Sequence, residues 1–484
     1  MNHCVQVLVA AAGLLLVACR GNLASVQDTE PLAVRLDRIA EAALENGPVA
    51  GLSIAVFSGG EPVFANGYGS ADLAAQRPAT AATLYDIASV SKPFTALAIL
   101  KLVGEGKLGL GQTLSELLPE FPNPDQGRRI TVRQLLNHTS GLSDYLAADF
   151  LRFRRAGSPA APLTAAFVLD YLGNRPLDAR PGTEWQYSNS GFYLAGMIIE
   201  RVSGQPWGTY VRDEIARPLG LDATASCDSL PPGGHATGYR ASGADFQPEE
   251  FYAEAGVQGD GGLCSTVLDL GRLPASLAGS RLIRKELVRE MLQPTRLADG
   301  VSIDYGLGMR LGRLERYPLW GHTGSILQSY ASTLVHYPNE NVTIAVLVNT
   351  ADTGIDALVI EGWVAKEVLR LEHAVVGSAV PLDAASLYVG EYDGNRDENL
   401  EMIEAPESPD RLRYRIIEVD GQIARVTAGT PHPPLDLVFL GNHSFGRRDW
   451  PMDRFVFDVE NDRVRGYSEY YNGIFASFNR RVDR

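Results

Sequence analysis

Ser89-Val90-Ser91-Lys92-Pro93-Phe94 opens the most informative stretch of the chain. The lysines are Lys92, Lys101, Lys107, Lys285 and Lys366, and only Lys92 has a serine three residues before it. Phe94, Leu97, Ile99, Leu100, Leu102 and Val103 follow, so the next segment reads as an apolar, buried helix. Pro93 is tolerated in a first turn. Residues i and i+3 share a helix face, which brings Ser89 and Lys92 together at the helix N-terminus. There the backbone N–H groups favour negative charge, and a partly buried lysine can lose its proton and serve as a base.

Outward from this helix the pattern alternates between strands and helices. Upstream, Leu36, Ile39, Ala40, Ala43 and Leu44 have amphipathic helical spacing, and Gly47 can end that helix. Ser53 to Phe57 and Pro62 to Tyr68 read as a hairpin around Ser58-Gly59-Gly60-Glu61. A mainly helical stretch is expected from about residue 85 to 275. Strand patterns resume at Ser329 to Tyr337 and Val342 to Val348, joined by Pro338-Asn339-Glu340-Asn341, and Ile355 to Leu371 reads as a closing helix. This order predicts an α+β fold, an antiparallel sheet with helices packed on it. Residues 373–383 read as a linker. From Leu387 onward the helix signals vanish, and Leu412, Tyr414 and Ile416 alternate with Arg413 and Arg415. Residues 384–484 are therefore expected to form a separate all-β barrel or sandwich.

The chain start carries its own signal. Val7 to Ala18 is an apolar run too short to span a bilayer, as in a secretory signal peptide. Leu16-Val17-Ala18-Cys19 then looks like the lipobox of bacterial lipoproteins, although no Lys or Arg precedes the run. That resemblance implies a signal at 1–18, a lipidated Cys19, a tether over 19–32, and a membrane-anchored place on the periplasmic side of a bacterial envelope. The other reading is a plain secretory signal cleaved elsewhere. Cleavage before Cys19 leaves Cys227 and Cys264, either bridged in an oxidising compartment or buried as two free thiols. Among 484 residues, 45% are apolar and 21% charged, which excludes global disorder. A net charge of −15 without a basic run excludes an ordinary nucleic-acid binder.

Other chemistry is not signalled. The sequence has no GxxxxGK[ST], no GxGxxG opening a helix after a strand, no HExxH, no CxxC and no GxSxG. No cofactor and no metal are expected. Two further elements stand out, Trp185-Gln186-Tyr187-Ser188-Asn189-Ser190-Gly191 before a helical run and Trp320-Gly321-His322-Thr323-Gly324-Ser325 beside a predicted strand. With Ser89 and Lys92, they supply S-x-x-K, Y-x-N and [KH]-T-G in order. Leu135-Leu136-Asn137-His138-Thr139-Ser140-Gly141-Leu142, Gly261-Gly262-Leu263-Cys264-Ser265-Thr266 and Tyr305-Gly306-Leu307-Gly308 fill the intervals. Together these resemble the penicillin-recognising serine hydrolases related to serine β-lactamases. The spacings match the class C branch, which has DD-peptidase and esterase relatives. The resemblance covers residues 33–372.

It implies a serine β-lactamase-like fold, with an antiparallel sheet flanked by helices and a mostly helical subdomain. It also implies a mechanism. Ser89 attacks a carbonyl carbon to form an acyl-enzyme, and Lys92 and Tyr187 share the base role. The N–H groups of Ser89 and Ser325 form the oxyanion hole, while Asn189 and Thr323 orient the substrate, Thr323 from the His322-Thr323-Gly324-Ser325 segment. His322 stands where many relatives carry Lys, so it either reads a substrate carboxylate or braces the strand. With His at that position, amide or ester hydrolysis of the peptidase or esterase type is expected ahead of efficient β-lactam hydrolysis. His138 is expected to be structural, and Trp185 and Trp320 to be packing residues. The rival reading is a non-catalytic envelope binding protein on the same scaffold.

Overall fold

The computed structural model describes residues 30–146, 164–242, 245–248, 259–326, 329–351, 355–371, 385–395, 411–419, 422–427, 434–447 and 452–482. The signal segment, Cys19, most of the tether and the 373–383 linker lie outside these residues.

Alternation along the central strands explains the layering. In Gly51–Ser58, Leu52, Ile54 and Val56 pack on one side, while Ala55 and Phe57 pack on the other. Val342–Val348 repeats the division, with Ile344, Val346 and Val348 opposite Ala345 and Leu347. A strand with both faces apolar must be covered on both sides. The helices Leu32–Asn46 and Ala357–Val368 cover one face of this sheet. A larger helical body covers the other, built on Ser91–Gly104, Asn189–Ser203 and Val267–Gly279. The sheet is antiparallel, in the order Arg310–Leu314, Tyr317–Ile326, Tyr330–Tyr337, Val342–Val348, Gly51–Ser58, Glu61–Asp72.

The stretch between residues 85 and 275 is less uniformly helical than its sequence suggests. Among the described residues, the short strands Tyr85–Asp86, Ala225–Ser226 and Leu263–Ser265 form a small sheet, and Cys227 and Cys264 are bridged across it. The bridge settles the pairing that the sequence left open.

The C-terminal region is all β. Eight described strands, from Gly390–Asn395 to Ile474–Arg481, run as an antiparallel meander, and the first pairs with the last through Tyr392 and Arg481. Closure makes this a barrel rather than a sandwich. Aromatic side chains dominate its core, among them Tyr388, Tyr392, Phe445, Phe455, Phe457 and Tyr467. The last strand also continues onto the central sheet, with Ile474 opposite Gly312. A Cβ at Gly312 would lie 2.0 Å from the Gly473 carbonyl oxygen, so only glycine permits that approach.

Candidate active site

The nucleophile turn is built by local strain and burial. A 3₁₀ turn over Ala88–Val90 leads into the helix Ser91–Gly104, and Ala88 adopts φ 47°, a conformation uncommon outside glycine. Asp86 Oδ1 accepts the Ala88 N–H and stabilises the turn. From Ser91 to Leu100 the helix is buried throughout, Lys92 included. A buried ammonium needs acceptors for its protons. Lys92 Nζ donates to Ser89 Oγ at 2.9 Å, Asn189 Oδ1 at 2.7 Å and the Asp260 carbonyl at 2.9 Å. It also stands 4.7 Å from the centre of the Tyr187 ring.

Tyr187 precedes the helix Asn189–Ser203, which Ser188 caps by accepting the Gly191 N–H. Asn189 faces inward: its carbonyl holds Lys92, while its backbone N–H and its side-chain amide donate to Asp144 Oδ2. These contacts hold the lysine in place.

The third element is the strand Tyr317–Ile326. Its pairing with Arg310–Leu314 ends at Gly321, and the segment beyond lies against the nucleophile turn. A Cβ at Gly324 would come within 2.8 Å of the Ser89 nitrogen and 2.6 Å of the Ile87 carbonyl oxygen, so glycine sets this close approach. Along the strand His322, Gly324 and Ile326 are buried, while Thr323 and Ser325 are half-exposed. Ser89 and Tyr187 are half-exposed as well. The half-exposed residues of the site are thus Thr323 and Ser325 on one strand, the serine before a helix, and Tyr187, whose hydroxyl oxygen is itself buried.

His322 is held from both sides. Ser188 N–H donates to His138 Nδ1 at 3.0 Å, which leaves the proton of a neutral His138 on Nε2. That N–H donates to Tyr305 Oη at 3.0 Å, Tyr305 O–H donates to His322 Nε2 at 3.1 Å, and His322 Nδ1–H donates to the Thr323 carbonyl at 2.6 Å. Burial pushes both imidazoles well below their ordinary pKa. Arg310 and then Lys92 add to this at His322; Lys92, His322 and Arg310 add to it at His138. Both rings are therefore neutral near pH 7. Both ring nitrogens of His322 thus have partners within the protein, as a brace requires. Trp185 and Trp320 are packing residues, against Phe475 and His336 respectively.

Several site residues had no motif of their own. Arg310, 8% exposed, places its guanidinium 5.3 Å from the Tyr187 ring centre. Tyr145 O–H donates to Asp260 Oδ2 at 2.6 Å, and burial raises the Asp260 carboxyl to about 7. Each lies beside a segment that did stand out: Arg310 just after Tyr305-Gly306-Leu307-Gly308, Asp144 and Tyr145 after Gly141-Leu142, and Asp260 just before Gly261. Proximity in sequence to those segments was the available signal. The disulfide lies behind this loop, which supplies the Asp260 carbonyl to Lys92 and the Gly259 carbonyl to Thr95.

A serine bonded to a buried lysine at a helix start, faced by a tyrosine and by the edge of a β-strand, defines a class of serine hydrolase. The family model described as Beta-lactamase matches residues 36–363, and the chain belongs to that family. It is a serine hydrolase of the β-lactamase-related kind, with penicillin-binding, esterase and amidase relatives. It is 32% identical over 308 residues to penicillin-binding protein 4* of Bacillus subtilis (strain 168), a match spanning 60% of this chain and 66%, just under two thirds, of that protein. To esterase EstB of Burkholderia gladioli it is 32% identical over 320 residues, covering 61% of this chain and 79% of the esterase. Among solved structures, the D-amino acid amidase of Ochrobactrum anthropi SV3 superposes with a TM-score of 0.60 at 25% identity, over 70% of this chain and 99% of the amidase. An octameric penicillin-binding protein homologue from Pyrococcus abyssi shares the fold over 93% of this chain and all of its own, with a TM-score of 0.61 at 24% identity.

Proposed function

We propose that this chain hydrolyses amide or ester bonds through a Ser89 acyl-enzyme, as a peptidase or esterase rather than as an efficient β-lactamase. The observation that carries the proposal is the 2.9 Å hydrogen bond between Lys92 Nζ and Ser89 Oγ beneath the Tyr187 ring. Ser89 Oγ attacks the substrate carbonyl and gives up its proton to the Lys92/Tyr187 pair. The negative oxygen that forms is held by the N–H groups of Ser89 and Ser325, each such donor worth about 3 kcal/mol of barrier. Thr323 and Ser325 orient the substrate from the strand, and Gly324 lets that strand approach. The same proton returns to the leaving amine or alcohol, and water then releases the acyl group. A neutral, braced His322 offers no fixed charge for a penicillin carboxylate, which favours the peptidase or esterase reading. The esterase and D-amino acid amidase relatives support the choice of bond.

We propose that the protein is exported to a bacterial cell envelope and lipid-anchored through Cys19 on the periplasmic side. The Val7–Ala18 run before Cys19 supports this, and so does the Cys227–Cys264 bridge, since such bridges persist in oxidising compartments. Labelling with a fluorescent fluorophosphonate tests the enzyme reading. Stoichiometric label that is lost in Ser89→Ala is expected; equal labelling of the two proteins refutes it. Membrane release of Cys19→Ala in a bacterial host tests the anchor, and a mature wild-type N-terminus away from Cys19 refutes that part.

A further inference from the structure

The barrel reaches Tyr187 through the Arg310 cation and through Phe475. Arg310 is buried and has no carboxylate partner among the described residues. Its Nη1 donates to two carbonyls of the last barrel strand, those of Phe475 at 2.8 Å and Ala476 at 2.9 Å. A buried guanidinium without a counterion is costly, and two neutral carbonyls offset only part of that cost. The charge faces the Tyr187 ring. Phe475 itself packs edge-on against Trp185, two residues from Tyr187, in a cluster that includes Tyr305 and Phe478. The last two barrel strands and the turn between them are fastened at other points: Arg313 N–H to the Gly473 carbonyl, Tyr470 O–H to Asp304, and Arg480 to Asp299.

We infer that Arg310 and Phe475 are positioning residues for the base, and that the barrel's last strand holds the Arg310 charge over Tyr187. The inference rests on the acyl-enzyme reading above. A fixed cation beside a phenol stabilises the phenolate that must form when the base is readied. Tyr187 is also faced by Lys92 from the nucleophile helix, by His138 from the turn before Thr139, by His322 from the strand, and by Tyr305 through His138 and His322. Asp260 and Asp144 stand behind Lys92 and Asn189. Both imidazoles are neutral, so among the described residues Lys92 and Arg310 are the cations around the ring, and of these two only Arg310 is set by the barrel.

The test is the pH dependence of kcat/KM for p-nitrophenyl butyrate, a neutral ester, measured on the full chain. Arg310→Met should move the acidic limb to higher pH by about one unit, because an opposite charge at this range shifts a titration by that order. Phe475→Ala, in which Arg310 remains but its strand is undermined, should move the limb the same way by less. Phe475→Leu, which refills the cluster, should bring it back toward the parent. A merely structural role for Phe475 would lower the amplitude and leave the limb in place, and that result overturns the inference. So does an Arg310→Met loss confined to carboxylate-bearing esters, since Arg310 would then touch substrate. If Arg310→Met fails to fold, the two Phe475 variants decide the matter. Ser89→Ala, assayed alongside, separates the two levels. Turnover surviving there overturns the acyl-enzyme reading, whereas an inactive Ser89→Ala with unmoved limbs elsewhere overturns the positioning role alone.

Discussion

Replacing Tyr305 with Phe removes one oxygen and leaves the aromatic packing intact. That oxygen accepts from His138 Nε2 and donates to His322 Nε2, and both histidines are fully buried. Their other ring nitrogens are committed to the Ser188 N–H and the Thr323 carbonyl. The variant therefore leaves one buried N–H and one buried ring nitrogen without their partner. An orphaned buried polar group costs about 1–3 kcal/mol, so the two together should lower stability by about 2–6 kcal/mol. Activity should fall with it, because His322 no longer fixes the strand that carries Thr323 and Ser325. Urea unfolding of parent and variant at pH 7, followed by far-UV circular dichroism, measures the loss. A difference under about 1 kcal/mol would refute the hydrogen-bonded chain through Tyr305, since the lost hydroxyl would then have had no buried partners to desert.

Other outcomes follow from the same geometry. Ser89→Ala should abolish ester turnover with an unchanged melting curve. Tyr187→Phe should cut turnover by about two orders of magnitude or more, the usual scale for losing an acid–base group; a steady-state rate equal to the parent's would exclude it from that role. Replacing both Cys227 and Cys264 by Ala opens a loop whose ends are 37 residues apart, with an expected loss of about 3–4 kcal/mol by calorimetry. Glu361, bonded to Tyr337, is buried, and its carboxyl is pushed up to about 8. In the folded protein it keeps its proton where the unfolded chain has lost it. Its contribution is thus fully present below about pH 4.5 and is lost as pH rises toward 8. Glu361→Gln, which cannot ionise, should gain stability relative to the parent across that interval. Urea midpoints at pH 5 and pH 8 check this, and a constant difference would show that Glu361 is not held protonated.

The amino-acid sequence by itself determined what depends on near neighbours in the chain. The i, i+3 pair of Ser89 and Lys92 at the head of an apolar helix follows from helical periodicity. The strands read at Ser53 to Phe57 and Val342 to Val348 follow from β-branched runs bounded by turn residues, and the loss of helical pattern after Leu387 announces an all-β region, barrel or sandwich. Periodicity of this kind reports burial and element type but not partners. Only the tertiary structure decided which side chains meet. Arg310 comes to lie beside Tyr187, and the carbonyls that hold it belong to residues 475 and 476, about a third of the chain away. His322 was ambiguous in sequence because an imidazole serves equally as a cation or as a neutral brace. Its burial and its hydrogen bond to the Tyr305 hydroxyl are set by the packing of segments remote in sequence. The same holds for Cys227 and Cys264, whose pairing requires two short strands to be brought together by the fold. Desolvation and contact are properties of a packed interior, and no local pattern of residues encodes them.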